Sequence, residues 1–128
     1  MMFATATTAF ALSGSLLVGT PPAKVSLKDP GPTPKIGVPW NYSITAKAAD
    51  GKPAAATLTE QIVDPIGDAH PVQFGKTTKN ITNWPFKGTF RDFIVWPASS
   101  RGIPLQLRAV VKVGAKKTVL SVTVTPRK

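Results

Sequence analysis

Residues 105–113 read Leu105-Gln106-Leu107-Arg108-Ala109-Val110-Val111-Lys112-Val113, and residues 118–124 read Thr118-Val119-Leu120-Ser121-Val122-Thr123-Val124. Leu105, Leu107, Ala109, Val111 and Val113 alternate with Gln106, Arg108, Val110 and Lys112; Thr118, Leu120, Val122 and Val124 alternate with Val119, Ser121 and Thr123. A two-residue period is that of a strand with one buried face. Gly114-Ala115-Lys116-Lys117 separates the runs as the turn of a hairpin. Pairing Val111 with Leu120, Ala109 with Val122 and Leu107 with Val124 places each inward residue opposite an inward partner. Val111, Leu120 and Val122 are therefore expected in the core, with Arg108 and Lys112 facing water.

Upstream, residues 40–48 alternate in the same way, with Trp40, Tyr42, Ile44, Ala46 and Ala48 on one face. Asp50-Gly51-Lys52-Pro53 is a turn. Residues 56–63 form the next strand, with Leu58 and Ile62 as inward anchors. A tight hairpin here would set Tyr42 against Thr59 and Ile44 against Thr57, so the apolar faces would not meet. The second strand is expected instead to cross to an opposing sheet, as in a sandwich. Residues 24–28 are a short strand candidate, residues 29–35 a proline-rich extended loop, residues 64–71 a loop, and residues 72–74 a short edge strand. Residues 89–96 are a strong strand. With about seven strands at short spacing and no amphipathic helical stretch, the sequence predicts an all-β fold: an antiparallel two-sheet immunoglobulin/fibronectin III-like sandwich over residues 24–128.

The chain has 128 residues, enough for one domain of ordinary size. It has no cysteine, which excludes disulfides, thiolate metal sites and a cysteine nucleophile. Its single histidine excludes any site that needs two imidazoles. Sixteen Lys and Arg against six Asp and Glu leave a net charge of +10. Residues 1–23 carry no charge; the apolar run at residues 10–19, broken by Thr20-Pro21-Pro22-Ala23, resembles a secretory signal, although no Lys or Arg precedes Lys24. The alternative is an N-terminal extra strand. A membrane anchor is the third reading, disfavoured because the run is short and rich in Thr, Ser and Gly.

Three groups of side chains are candidates for function. Asp64, Asp68 and His70 share one loop and could converge on zinc or calcium; the competing reading is an aspartate capping a turn beside a solvated histidine. Trp84, Phe86 and Trp96 belong to an aromatic-rich segment. It reads either as a central core strand or as a strand with one face in the core and the other on a partner. Arg108, Lys112, Lys116 and Lys117 form the densest basic strip, suited to a polyanion. Lys76, Lys79, Lys87 and Arg91 precede or enter the aromatic strand, an interleaving that would suit single-strand stacking, yet no nucleic-acid motif is present. There is no nucleophile elbow and no phosphate-binding glycine loop. Glu60 is the only glutamate, so a two-carboxylate glycosidase would need one of the five Asp as its partner. Neither an enzyme nor a cofactor is expected.

The stretch Pro34-Lys35-Ile36-Gly37-Val38-Pro39-Trp40, followed by Ala49-Asp50-Gly51-Lys52-Pro53, resembles the opening of bacterial secreted immunoglobulin-like domains of the YtkA-like and FixH-like kind. Asp64-Pro65-Ile66-Gly67, His70-Pro71-Val72 and residues 84–102 resemble small secreted proteins of actinobacterial type, which have no assigned activity. The resemblance spans residues 24–126. Because its motifs are turn signals, it implies fold and export but no chemistry. The chain lacks the paired cysteines of antibody domains, and its one histidine does not support the copper carriage of some relatives. The resulting expectation is a secreted, non-enzymatic binding or structural module. Its partner would be an anionic cell-wall polymer or another envelope protein, rather than a specific nucleic acid. An exported metal-binding domain and a structural subunit of an extracellular assembly are the alternatives.

Overall fold

The computed structural model describes residues 23–128, so the readings of residues 1–23 as a signal or an extra strand lie, but for Ala23, outside it. Alternating burial along Pro39–Lys47 builds a strand whose Trp40, Tyr42, Ile44 and Ala46 all turn inward. In chain order the strands are β1 (Lys24–Lys28), β2 (Pro39–Lys47), β3 (Ala55–Val63), β4 (Ala69–Pro71), β5 (Trp84–Lys87), β6 (Thr89–Val95), β7 (Leu105–Val113) and β8 (Lys116–Val124). One sheet has the order β1-β2-β6; the other has β4-β3-β7-β8, with β5 also paired to β3. Every pairing between these strands is antiparallel. β2 and β3 sit in opposite sheets, as the mismatched apolar faces required. The order is that of an immunoglobulin-type sandwich, in which the second and third strands part company.

The core lies between the sheets. Ile44 of β2, Leu58 of β3 and Leu107, Ala109 and Val111 of β7 are fully enclosed. Trp40 packs edge-on against Trp96 at 5.7 Å between ring centroids, and Trp40 and Tyr42 are themselves neighbours at 5.8 Å.

The last hairpin keeps its expected faces but shifts its register by two residues. Leu107 pairs with Val122, Ala109 with Leu120, Val111 with Thr118 and Val113 with Lys116. The turn is Gly114-Ala115 alone. Gly114 adopts φ +59, the left-handed geometry a two-residue hairpin turn demands of its first central residue. An even shift preserves which side chains point inward, so the alternation could not detect it. β8 is also a sheet edge. Leu120 and Val122 are consequently only half-buried, while Val111 is enclosed.

Two local readings are corrected. The short strand of this region is Ala69–Pro71, inside what reads as a loop, and residues 72–74 are not a strand. The aromatic segment is not one element. Its chain passes from β5 in one sheet to β6 in the other at Gly88, whose φ of +79 makes the corner. The Gly88 N–H donates to Ala54 O at 3.1 Å, and its carbonyl accepts from Ala46 N at 2.7 Å, so one residue is bonded towards both sheets. β6 is then an edge strand of the three-stranded sheet, not a central one.

Candidate functional site

β4 and β5 occupy the same flank of β3 and leave a gap between them at Glu60. Val72 and Ile81 fill it: Val72 N–H donates to Glu60 O at 3.2 Å, Glu60 N–H to Ile81 O at 3.0 Å, and Ile81 N–H to Val72 O at 2.8 Å. Both side chains are buried. The residues between them, 73–80, are forced outward as a finger. A Gln73–Asn80 bridge closes its base. Phe74 N–H to Lys79 O at 3.0 Å and Thr77 N–H to Phe74 O at 3.2 Å hold its turn.

The finger reaches the edge of β6 in the opposite sheet. Gly75 N–H donates to the Asp92 carboxylate, with both oxygens at 3.2 Å. A β-carbon at Gly75 would sit 2.7 Å from Phe93 O and 2.8 Å from the Phe93 ring, so only glycine permits this approach. The finger thus spans the open flank of the sandwich and encloses a cleft of about 520 Å³ lined by Phe74, Lys76, Thr77, Lys79, Trp84, Arg91, Asp92 and Phe93. Phe74 packs edge-on against Trp84 at 4.6 Å and rests on Phe90 at 5.9 Å. Trp84 is 37% exposed, whereas Trp40 and Trp96 are buried. Three cations therefore surround an aromatic wall, and the one carboxylate among them is engaged by the Gly75 amide.

A second basic region lies on the outer face of the larger sheet. Lys112 stands directly opposite Lys117, and Arg108 opposite Ser121. On the same face, Thr57 lies between Lys112 and Pro85, and Ala55 pairs with Lys87. The structure brings together Arg108, Lys112 and Lys117 of the expected strip. Lys116 pairs with Val113 and falls on the opposite face at the hairpin tip, because the turn is two residues long. Among the described residues, His70–Asp64 is the one pairing of a basic with an acidic side chain. All 16 Lys and Arg lie within residues 24–128, and none of them is paired with a carboxylate there.

The expected aromatic surface does not form. Trp96 is 2% exposed and belongs to the core. Its indole nitrogen has no hydrogen-bond partner among the described residues. Phe86 is half-buried against Phe90 at 6.0 Å. Trp84 alone retains substantial exposure, because it lies at the rim of β5 opposite Leu58. The alternation cannot reveal this, since Gly88 divides the segment between two sheets.

The Asp64, Asp68 and His70 loop closes on itself. Asp64 Oδ1 accepts the N–H groups of Ile66 at 3.1 Å and Asp68 at 2.9 Å, and Asp64 Oδ2 contacts His70 Nε2 at 2.9 Å. The His70 bond and the two amides hold the Asp64 carboxyl below its usual range. The Asp68 side chain does not join them, and among the described residues no three His, Cys, Asp or Glu gather as a metal site. The aspartate caps a turn.

One titratable group is perturbed into the neutral range. Burial pushes the Glu60 carboxyl up to about 7, against the opposing effect of a hydrogen bond from Tyr42. Glu60 is 1% exposed. It lies within the core, away from the lining of the cleft.

Among the described residues no helix is long and apolar enough to cross a membrane. No protein-family model matches the chain, and no curated protein does either. The solved structures that resemble the chain in part include two from bacteria. One is a DUF4466 family protein from Parabacteroides merdae, 14% identical, with a TM-score of 0.44 over 86% of this chain and 45% of that one. The other is the Pseudomonas fluorescens alkylpurine DNA glycosylase AlkC bound to DNA containing an abasic site analogue, 15% identical, with a TM-score of 0.45 over 84% of this chain and 31% of that one. The chain spans less than half the length of either.

Proposed function

We propose that this domain is a non-enzymatic binding module that acts outside the cytoplasm and adheres to anionic polymers of the cell envelope. The observation that carries the reading is the state of its cations. The chain has a net charge of +10, and no Lys or Arg among the described residues is neutralised by a carboxylate. Lys112 and Lys117 even stand opposite one another across β7 and β8, where like charges repel. A polyanion lying across this face relieves that repulsion and releases its own condensed counterions. The apolar start of the sequence supports export, and the resemblance to secreted immunoglobulin-like domains supports an envelope setting.

Heparin chromatography of the purified chain tests the reading. Retention should fall steeply between about 50 and 200 mM salt. Replacing Arg108, Lys112 and Lys117 by Ser should lower the log–log salt slope by about 0.9 for each lost contact. A chain that passes through heparin unretained at low salt would refute the proposal.

A further inference from the structure

The cleft beneath the finger differs in kind from the basic sheet face. That face offers charge alone. The cleft joins two features that the chain draws from separate segments: an accessible indole at Trp84, and the cations Lys76 and Lys79 from the finger with Arg91 from β6. Its volume of about 520 Å³ lies in the usual range for small-molecule sites. It is also fixed in place. The Gly75–Asp92 hydrogen bonds and the close Gly75–Phe93 approach pin the finger to β6, so the backbone that carries Lys76 and Lys79 is fixed beside the indole without a ligand.

We propose that this cleft binds one residue of an anionic glycan, with a sugar ring lying on the Trp84 indole and its acidic group held by Lys76, Lys79 and Arg91. An indole offers a broad apolar face to the C–H side of a sugar ring while leaving its polar edge wet. An arginine and two lysines suit a carboxylate, sulfate or phosphate, the arginine through paired hydrogen bonds. A single-stranded nucleic acid fits less well. It stacks successive bases on successive aromatic faces, but here Phe74 and Phe93 are half-buried and only Trp84 is open. The proposal rests on the polyanion reading and adds to it a defined site with a ring requirement.

Fluorescence titration of the full chain tests it. Trp40 and Trp96 are 3% and 2% exposed, so a change in tryptophan emission on binding reports Trp84. The probes are an oligogalacturonate hexamer, a heparin hexasaccharide, neutral maltohexaose and oligothymidylate. The acidic oligosaccharides should alter the emission. Trp84→Leu should abolish the change and weaken calorimetric affinity by about tenfold or more, as should Lys76→Ser combined with Lys79→Ser. The two lysines are exposed, so that pair of changes leaves the fold intact if Trp84→Leu does not. The Arg108, Lys112 and Lys117 variant should keep the emission change. Equal affinity of the wild type and both cleft variants overturns the site while leaving the polyanion reading standing. So does equal binding of maltohexaose, or tighter binding of oligothymidylate. Failure of every acidic probe to bind at low salt overturns both.

Discussion

The Tyr42 hydroxyl donates to Glu60 Oε1 at 2.5 Å, joining β2 of one sheet to β3 of the other through the core. Both residues are nearly sealed, at 3% and 1% exposure. The other carboxyl oxygen, Oε2, has no partner among the described residues. Burial and the neighbouring carboxyl push the Tyr42 phenol far above its ordinary range. An ionised carboxylate here would be a buried charge with one hydrogen bond and no cation, an expensive arrangement. The protonated form is the one the core accepts.

Stability should therefore decline towards neutral pH. Unfolded, Glu60 releases its proton near 4.5; folded, it keeps it to about 7. Below the lower value both states are protonated and stability is complete. As pH rises through the window the unfolded chain binds fewer protons, and stability falls by on the order of 3 kcal/mol. Urea unfolding midpoints measured from pH 4 to 8 should show this decline, and Glu60→Gln should flatten it. An equally steep decline in Glu60→Gln would assign the effect to another group. Asp64 acts in the opposite sense: its lowered value gives stability that is present above the ordinary aspartate range and lost on acidification.

Tyr42→Phe removes the one hydrogen bond that the Glu60 carboxyl receives among the described residues. It should cost about 1–3 kcal/mol, the usual penalty for stranding a buried polar group. Because the Tyr42 bond lowers the Glu60 value, its loss should move the carboxyl titration to higher pH. Carboxyl-carbon NMR of the variant reads that shift directly; a titration at unchanged pH would contradict the role given to the bond.

The hairpin register is tested by two leucines. Leu107 is fully enclosed, so Leu107→Ala should cost about 2–5 kcal/mol. Leu120 pairs with Ala109 on the edge strand and is half-buried; Leu120→Ala should cost clearly less, below about 2 kcal/mol. Equal losses in chemical denaturation would favour the register in which Leu120 meets Val111.

Gly75→Ala drives a methyl group into Phe93 O and its ring, both under 3 Å away. The finger must lift from β6 and give up the Asp92 contact. A loss of about 1–3 kcal/mol is expected, as for other overpacked sites. Amide exchange should accelerate at Gly75 and across residues 73–80 while β7 keeps its protection. Unchanged exchange in the finger would mean that it is not held by this contact.

Lys117→Glu replaces a repulsive cross-strand pair with an attractive one opposite Lys112. Thermal unfolding should show a gain of about 0.2–1 kcal/mol, while heparin retention weakens. Improved stability without weaker retention would place the polyanion elsewhere on the surface.

Much of the sandwich is legible along single strands. The alternation at Trp40, Tyr42, Ile44 and Ala46 marks one buried face, and all four are buried. The clash of faces between residues 40–48 and 56–63 places those strands in different sheets, and they are. Arg108, Lys112 and Lys117 are legible as one outer face because parity alone assigns them. The cleft is not legible in this way. Lys76, Lys79 and Arg91 stand out as cations among aromatics, but their grouping around Trp84 depends on a finger whose direction no local pattern records.

The amino-acid sequence by itself determined the fold class, the inward faces and the surplus of positive charge. Each follows from side-chain chemistry repeated at a period of two, or from simple counting. Only the tertiary structure decided the register of the last hairpin, since a shift by two residues leaves every face unchanged. It also decided the fate of the aromatics. Gly88 turns the chain from one sheet to the other, sending Trp96 into the core and leaving Trp84 at the rim. Burial in a two-layer fold depends on which strands become neighbours and which become edges. That is a property of pairings distant in sequence, which a local pattern does not contain.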